Sequence, residues 1–218
     1  MSKVFFSVSV SLDGYMVPPG MDLEHADDPT HEDWAAQWGK LQSWIFPTRF
    51  FQELRKREGG ETGADDQVAR HTFQRTGVTI LGKRMFELGE RMWPEEAPFH
   101  TPVFVLTSEV RAPWVRPGGT TFEFVNDGIE SALRKARAAA GDRDIRIGGG
   151  ADVIQQYLRA GLVDEFSLAI APVMFGGGRQ LFTGIGRDVG VELIETIASP
   201  RVTHARYAVQ KPQSRSRG

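Results

Sequence analysis

Residues 145–158 read IRIGGGADVIQQYL, and the order of residue types in this stretch decides the fold. Ile145 to Ile147 is a short strand that runs straight into Gly148-Gly149-Gly150. Val153, Ile154, Tyr157 and Leu158 then recur at helical spacing and form one apolar face. A strand that passes through glycine into a helix is the repeating unit of an α/β sheet.

The same unit recurs upstream. Val78 to Leu81 reads as a buried strand, Gly82 ends it, and a helix runs from about Lys83 to Arg91. Val103 to Leu106 is the next strand, and Thr121 to Val125 (TFEFV) alternates strictly. Asp127 is placed to cap a helix in which Ile129, Ala132, Leu133 and Ala136 share a face. Downstream, Gly161 ends the helix that follows the glycine run, and Val163 to Ile170 forms a strand. Two long strands, Val191–Ala198 and Arg201–Val209, meet at Ser199-Pro200 and make a terminal antiparallel pair. At the start, Val4 to Val10 (VFFSVSV) is a strand that breaks at Ser11-Leu12-Asp13-Gly14-Tyr15.

Residues 21–76 form an insertion that follows no strand rhythm. Asp27-Asp28-Pro29 could open a short helix carrying Trp34 and Trp38, four apart on one face. Thr48 to Glu58 and Ala64 to Gln74 read as helices on either side of a glycine-rich loop. Such long insertions are more often functional than idle. The sum is a single α/β domain over 1–211, with a mixed sheet of about eight strands, and a disordered tail at 212–218.

Composition narrows the function. Acidic and basic residues number 28 and 26, a net charge of -2, which leaves no basic footprint for nucleic acid. Zero cysteine removes disulfides, thiolate ligands and a cysteine nucleophile. The five histidines include no pair at metal-ligand spacing, so no metal site is expected. Neither a secretory signal nor an apolar run approaching a membrane span is visible, and the expected place is the cytoplasm.

Three strand ends carry anion-binding chemistry. Gly148-Gly149-Gly150 would let a phosphate approach the backbone at a helix N-terminus, although three glycines serve a tight turn equally well. Gly82 is followed by Lys83 and Arg84 in a first helical turn, where cations cost roughly 0.3–1 kcal/mol unless an anion is bound. Leu106-Thr107-Ser108, with Arg111 nearby, ends a third strand in hydroxyl donors that suit the extra phosphate of NADPH. A dinucleotide has that many charged features. Asp13 follows the first strand and reads either as an Asp-Gly turn or as a carboxylate that relays a proton. Gly176-Gly177-Gly178-Arg179 reads as a shaped loop, and some of the five tryptophans could line a pocket for a flat heterocycle.

The stretches SVSLDGYM (9–16), TILGKRMFE (79–87), PVFVLTSE (102–109), IRIGGGADVIQQYL (145–158) and GLVDEFSLAIAPVMFGGGRQLF (161–182) together resemble a family. It is the C-terminal reductase domain of the bifunctional riboflavin-biosynthesis deaminase–reductase, which shares the dihydrofolate-reductase-like fold. The resemblance implies a three-layer α/β/α domain with a mostly parallel sheet, NADPH as hydride donor, a small heterocyclic substrate and a homodimer. By position it implies that Gly82, Lys83 and Arg84 meet the cofactor phosphates and that Thr107 and Ser108 meet the 2′-phosphate. Gly148, Gly149, Gly150, Ala151 and Asp152 fall on the pyrophosphate loop. Ser9 and Val10 border the nicotinamide, and Asp13 lies at the substrate side as the expected proton source.

Two departures stand out: Gly148 occupies a place that is usually acidic in this family, and the deaminase domain is missing from this sequence. The activity implied is closest to 5-amino-6-(5-phosphoribosylamino)uracil reductase. The alternatives are a dihydrofolate or pteridine-type reductase, and a nucleotide-binding protein without turnover.

Overall fold

The computed structural model describes residues 2–21, 32–186 and 189–210. Eleven strands and six α-helices occur in the order β1 (Val4–Ser11), β2 (Tyr15–Val17), α1 (Glu32–Leu41), α2 (Arg49–Leu54), α3 (Ala64–Arg75), β3 (Thr76–Gly82), α4 (Lys83–Met92), β4 (Pro102–Leu106), β5 (Trp114–Val115), β6 (Thr121–Val125), α5 (Ile129–Ala139), β7 (Asp144–Gly149), α6 (Ala151–Arg159), β8 (Glu165–Ala171), β9 (Arg179–Gln180), β10 (Gly190–Ala198) and β11 (Thr203–Gln210). One sheet has nine strands in the order β10-β11-β8-β1-β7-β3-β4-β6-β5. The run from β8 to β6 is parallel, while β5, β10 and β11 are antiparallel to their neighbours. β2 and β9 pair separately. The α/β architecture is the expected one. Eight of the nine strands are long, and the ninth is the two-residue β5.

Both faces of the sheet are covered, which is why the central strands are apolar on both sides. On one face Val4, Phe6, Val10, Val78, Ile80, Ile145 and Ile147 pack with Ala132 and Ala136 of α5 and with Ile154, Tyr157 and Leu158 of α6. Alternate residues face the other way: Leu81, Val103 and Val105 meet Phe86 of α4. Leu41, Trp44 and Ala69 pack with Ala169, Ala171 and Val202 on that same opposite side.

The described part of the 21–76 segment holds three helices, α1, α2 and α3, joined by turns and a glycine-containing loop. The helix opening at Asp27-Asp28-Pro29 lies outside the described residues, but α1 does carry Trp34 and Trp38. The second helix is shorter than its spacing predicts. Thr48 caps it by accepting from the Phe51 N–H, and it ends at Leu54, before Lys56 turns to a positive φ. α3 is anchored at its end by Arg75, which bridges Asp144 on β7 and Glu165 on β8 and lies 4.0 Å over the Phe5 ring. Asp127 does not cap α5: Gly128 occupies the N-cap position, and the Asp127 carboxylate instead accepts from the Ser131 hydroxyl at 2.7 Å. Val163 lies just before β8, which begins at Glu165. The expected tail at 212–218 lies outside the described residues. No helix among the described residues is long and apolar enough to cross a membrane.

Candidate functional site

The parallel strands end along one edge of the sheet, and a cleft of about 1480 Å³ runs across that edge. Ser7 to Ser9 of β1, Gly82, Leu106, Val125 and Gly148 reach it from five strands, while α1 and α3 form its far wall. In open parallel sheets a ligand crevice forms at this edge, because the chain leaves each strand toward alternate faces there.

Three helices start at the cleft. α4 begins after Gly82, α5 after Gly128 and α6 after Gly150, and none of the three N-cap positions supplies a side-chain hydrogen bond. Their first backbone N–H groups have no intrahelical partner and stay available to an anion. A Cβ added at Gly150 would meet nothing within 4 Å, so any side chain there would stand in the cleft. Gly148 is different: a Cβ there would lie 2.7 Å from Leu81 Cδ2 and 2.9 Å from Thr79 Cγ2. The close approach of β3 explains glycine at the position where the resembling family carries an acid. Gly149 has φ 122 and joins Gly150 through a cis peptide.

Cations stand around these helix starts, each held by a carboxylate. Lys83 bonds Glu109 at 2.5 Å and lies 3.6 Å from Glu87. The bond to Glu109 pushes the Lys83 ammonium pKa up against the opposing effect of burial. Arg179 bonds Asp152 at 2.7 Å, and Arg84 lies 3.9 Å from the same carboxylate with 73% of its side chain exposed. Such exposed pairs are worth about 0–1 kcal/mol and exchange readily for a better anion.

Most of the expected site residues converge. Ser9, Gly82, Lys83, Arg84, Thr107, Ser108, Gly148, Gly150, Ala151 and Asp152 all line the cleft. Val10 does not: strand alternation turns its side chain into the core. Gly149 likewise lies behind the lining, where a Cβ would come within 3.1 Å of Met16 Cε. Arg111 is occupied elsewhere, paired with Glu90 and 4.7 Å over the Phe124 ring.

Asp13 stands apart from the other expected site residues. Its carboxylate accepts from the Ser11 hydroxyl at 2.5 Å, from the Phe175 N–H at 3.1 Å and from the Gly176 N–H at 2.7 Å, and it is absent from the cleft wall. The Ser11 bond, with help from the two amides, holds its pKa below the usual 3.8 against desolvation. A carboxylate bonded in this way clamps the 175–176 loop and is a poor proton donor.

The far wall holds groups that spacing alone did not single out. The Trp44 indole donates to Ser9 Oγ at 2.8 Å, and Ser9 Oγ donates to Gln42 Oε1 at 3.2 Å. Trp34 and Trp38 line the same space, with Thr72, Phe73 and Arg146. Gln42 and Thr72 come from the 21–76 segment and gave no signal of their own. Arg146 did leave one: a cation between two core isoleucines on β7 must point to the opposite face. Arg179 was read as part of a shaped loop, and it also lines the cleft.

Comparisons with known proteins place this cleft in context. A family model of the RibD C-terminal domain matches residues 2–204. YyaP of Bacillus subtilis (strain 168), described as uncharacterized, is 37% identical over 73 residues, which span 34% of this chain and only 38% of YyaP. YwjB of the same organism, also described as uncharacterized, is 27% identical over 134 residues, 60% of this chain and 72% of YwjB.

Among solved structures, a putative riboflavin biosynthesis protein from Shewanella sp. PV-4 has a TM-score of 0.64 at 19% identity, covering 96% of this chain and 99% of that one. Dihydrofolate reductase from Enterococcus faecalis, complexed with NADP(H), has a TM-score of 0.54 at 15% identity, covering 95% and 96%. A Thermotoga maritima diaminohydroxyphosphoribosylaminopyrimidine deaminase/5-amino-6-(5-phosphoribosylamino)uracil reductase has a TM-score of 0.57 at 13% identity. The likeness covers 96% of this chain but 57% of that one. At these identities the likeness is one of fold, and the fold is dihydrofolate-reductase-like.

Proposed function

The chain belongs to the RibD C-terminal domain family, and on that premise we propose that it is an NADPH-dependent reductase of a small heterocycle, closest to 5-amino-6-(5-phosphoribosylamino)uracil reductase. One observation carries the reading: three helix starts without side-chain caps open onto a single cleft beside Lys83, Arg84 and Arg179. The cleft fits the cofactor, since a Cβ at Gly150 would meet nothing within 4 Å and its absence leaves the helix start behind it bare toward the cleft.

In this reading Ala151 and Asp152 offer backbone N–H groups to the pyrophosphate, and Gly82, Lys83 and Arg84 meet it from α4. Thr107 and Ser108 would hold the 2′-phosphate, and Lys83, paired with Glu109 in the structure, would turn to the pyrophosphate. NADPH supplies a hydride to a C=N or C=O carbon. The protein's own part is to orient the two reactants. Ser9, fixed by Trp44 and Gln42, shapes the floor where the two reactants meet. Trp34 and Trp38 offer flat surface to the substrate ring. With Asp13 committed to its loop, water in the open cleft is the proposed proton source.

The test is turnover. NADPH consumption, followed by its near-ultraviolet absorbance, should accelerate with 5-amino-6-(5-phosphoribosylamino)uracil and much less with dihydrofolate. The reverse preference would give the substrate side to a pteridine. No consumption with either would leave a nucleotide-binding protein.

The reading also includes a homodimer. β10 is an edge strand and leaves Val191, Leu193 and Ile194 about half exposed, at 49%, 54% and 44%. A long apolar edge of this kind invites a second copy.

A further inference from the structure

Arg146 stands in the middle of β7, where Ile145 and Ile147 turn into the core and Arg146 turns to the cleft. Its guanidinium lies 4.9 Å over the Phe73 ring of α3. Among the described residues its Nη2 reaches only the Ser7 carbonyl oxygen, at a long 3.4 Å. Its Nε is shielded from water and has no hydrogen-bond partner among them. Burial alone draws the group down to about 10, with no carboxylate to offset it.

The other cations of this region are satisfied. Arg75 has Asp144 and Glu165, Lys83 has Glu109, and Arg179 has Asp152. A guanidinium taken from water without a counter-ion is costly to a folded chain, and it is kept where something else supplies the negative charge. The side chain as a whole remains partly open, and what it opens to is the cleft. Ser7, Ser9 and Thr72 line the same cleft, neutral polar residues that add no charge.

We propose that Arg146 receives an oxyanion of the substrate, a carboxylate or a phosphate, so that the heterocycle reduced here is an acid. The proposal rests on the reading of the cleft as a reductase site, and it concerns the wall of α1 and α3 rather than the helix starts that would hold the cofactor. A planar fork of donors selects a two-oxygen acceptor over a neutral carbonyl. Ring stacking on Phe73 keeps that fork in one plane.

The experiment uses the full chain and quenching of its tryptophan fluorescence, since Trp34, Trp38 and Trp44 line the same cleft. The probes are orotate for a ring carboxylate, ribose 5-phosphate for a phosphate and uracil as the neutral control. One of the two anions should bind at least tenfold more tightly than uracil. Arg146→Met should abolish that preference, and Arg146→Lys should restore part of it. The melting temperature of Arg146→Met should be unchanged or raised, because no ion pair is lost and a buried charge is removed.

Orotate alone responding assigns a ring acid, and ribose 5-phosphate alone responding assigns a phosphorylated substrate. Equal binding of both anions by wild type and Arg146→Met would overturn the proposal. So would a lowered melting temperature in Arg146→Met with anion binding intact, which would make the residue structural. NADPH affinity, measured on the same samples, separates the two claims. Its absence in wild type would sink the cofactor reading and leave the anion result to stand on its own, while its retention in Arg146→Met would confine the defect to the substrate side.

Discussion

Asp13 carries the clearest titration signature at the scale of single residues. Its carboxyl ionises below the ordinary 3.8 because Ser11, Phe175 and Gly176 donate to the charged form. The stability this gives is fully present above 3.8 and is lost as the pH falls through the lower folded value. Asp13→Asn should therefore melt below wild type near neutrality, and the gap should close as the pH falls below 3.8. Melting temperatures across that range check it; a gap that persists into strong acid would contradict the charge-based account. Locally this residue fits an Asp-Gly turn as well as a proton relay. The deciding partners, Phe175 and Gly176, lie more than 160 positions away, and no local pattern reveals them. Val10 shows the converse. The resemblance places it beside the nicotinamide, whereas strand alternation alone puts its side chain in the core while Ser9 faces the cleft.

At the scale of elements, the account turns on the helix starts. α4 opens with Gly82, Lys83 and Arg84 and has no acidic residue in its first turn, an arrangement the helix dipole disfavours until an anion arrives. Lys83→Ala combined with Arg84→Ala should weaken NADPH by about 2–4 kcal/mol, roughly 30- to 700-fold in Kd. Calorimetric titration of the double variant measures this, and an unchanged Kd would return both residues to the role of solvated surface charges. The strand–glycine–helix units were legible because each is local: apolar run, glycine, amphipathic helix. The 21–76 segment was legible only in part. Its helices α1 and α3 form the far wall of the cleft, and the segment is tied to the sheet by Trp44 in the turn after α1, bonded to Ser9, and by Arg75 of α3, bonded to Asp144 and Glu165. Those contacts join positions 35 to 90 residues apart. Helix spacing locates such elements but does not say what they cover.

At the scale of the whole molecule, the sheet has two unlike edges. β5 closes one with two residues, while β10 leaves nine residues on the other. Sedimentation should give a particle of about 48 kDa, twice the 24.2 kDa chain. Leu193→Glu on β10 should shift it toward the monomer. A wild-type monomer at micromolar concentration would contradict the proposed dimer. The larger claim is that five strand ends and three bare helix starts form one dinucleotide cradle with a seat for a 2′-phosphate. Isothermal calorimetry of the wild-type chain with NADPH and with NADH tests this most directly. The account predicts that NADPH binds at least about tenfold more tightly, a difference of about 1.4 kcal/mol or more assigned to Thr107 and Ser108. Equal affinities, or no heat with either cofactor, would contradict it.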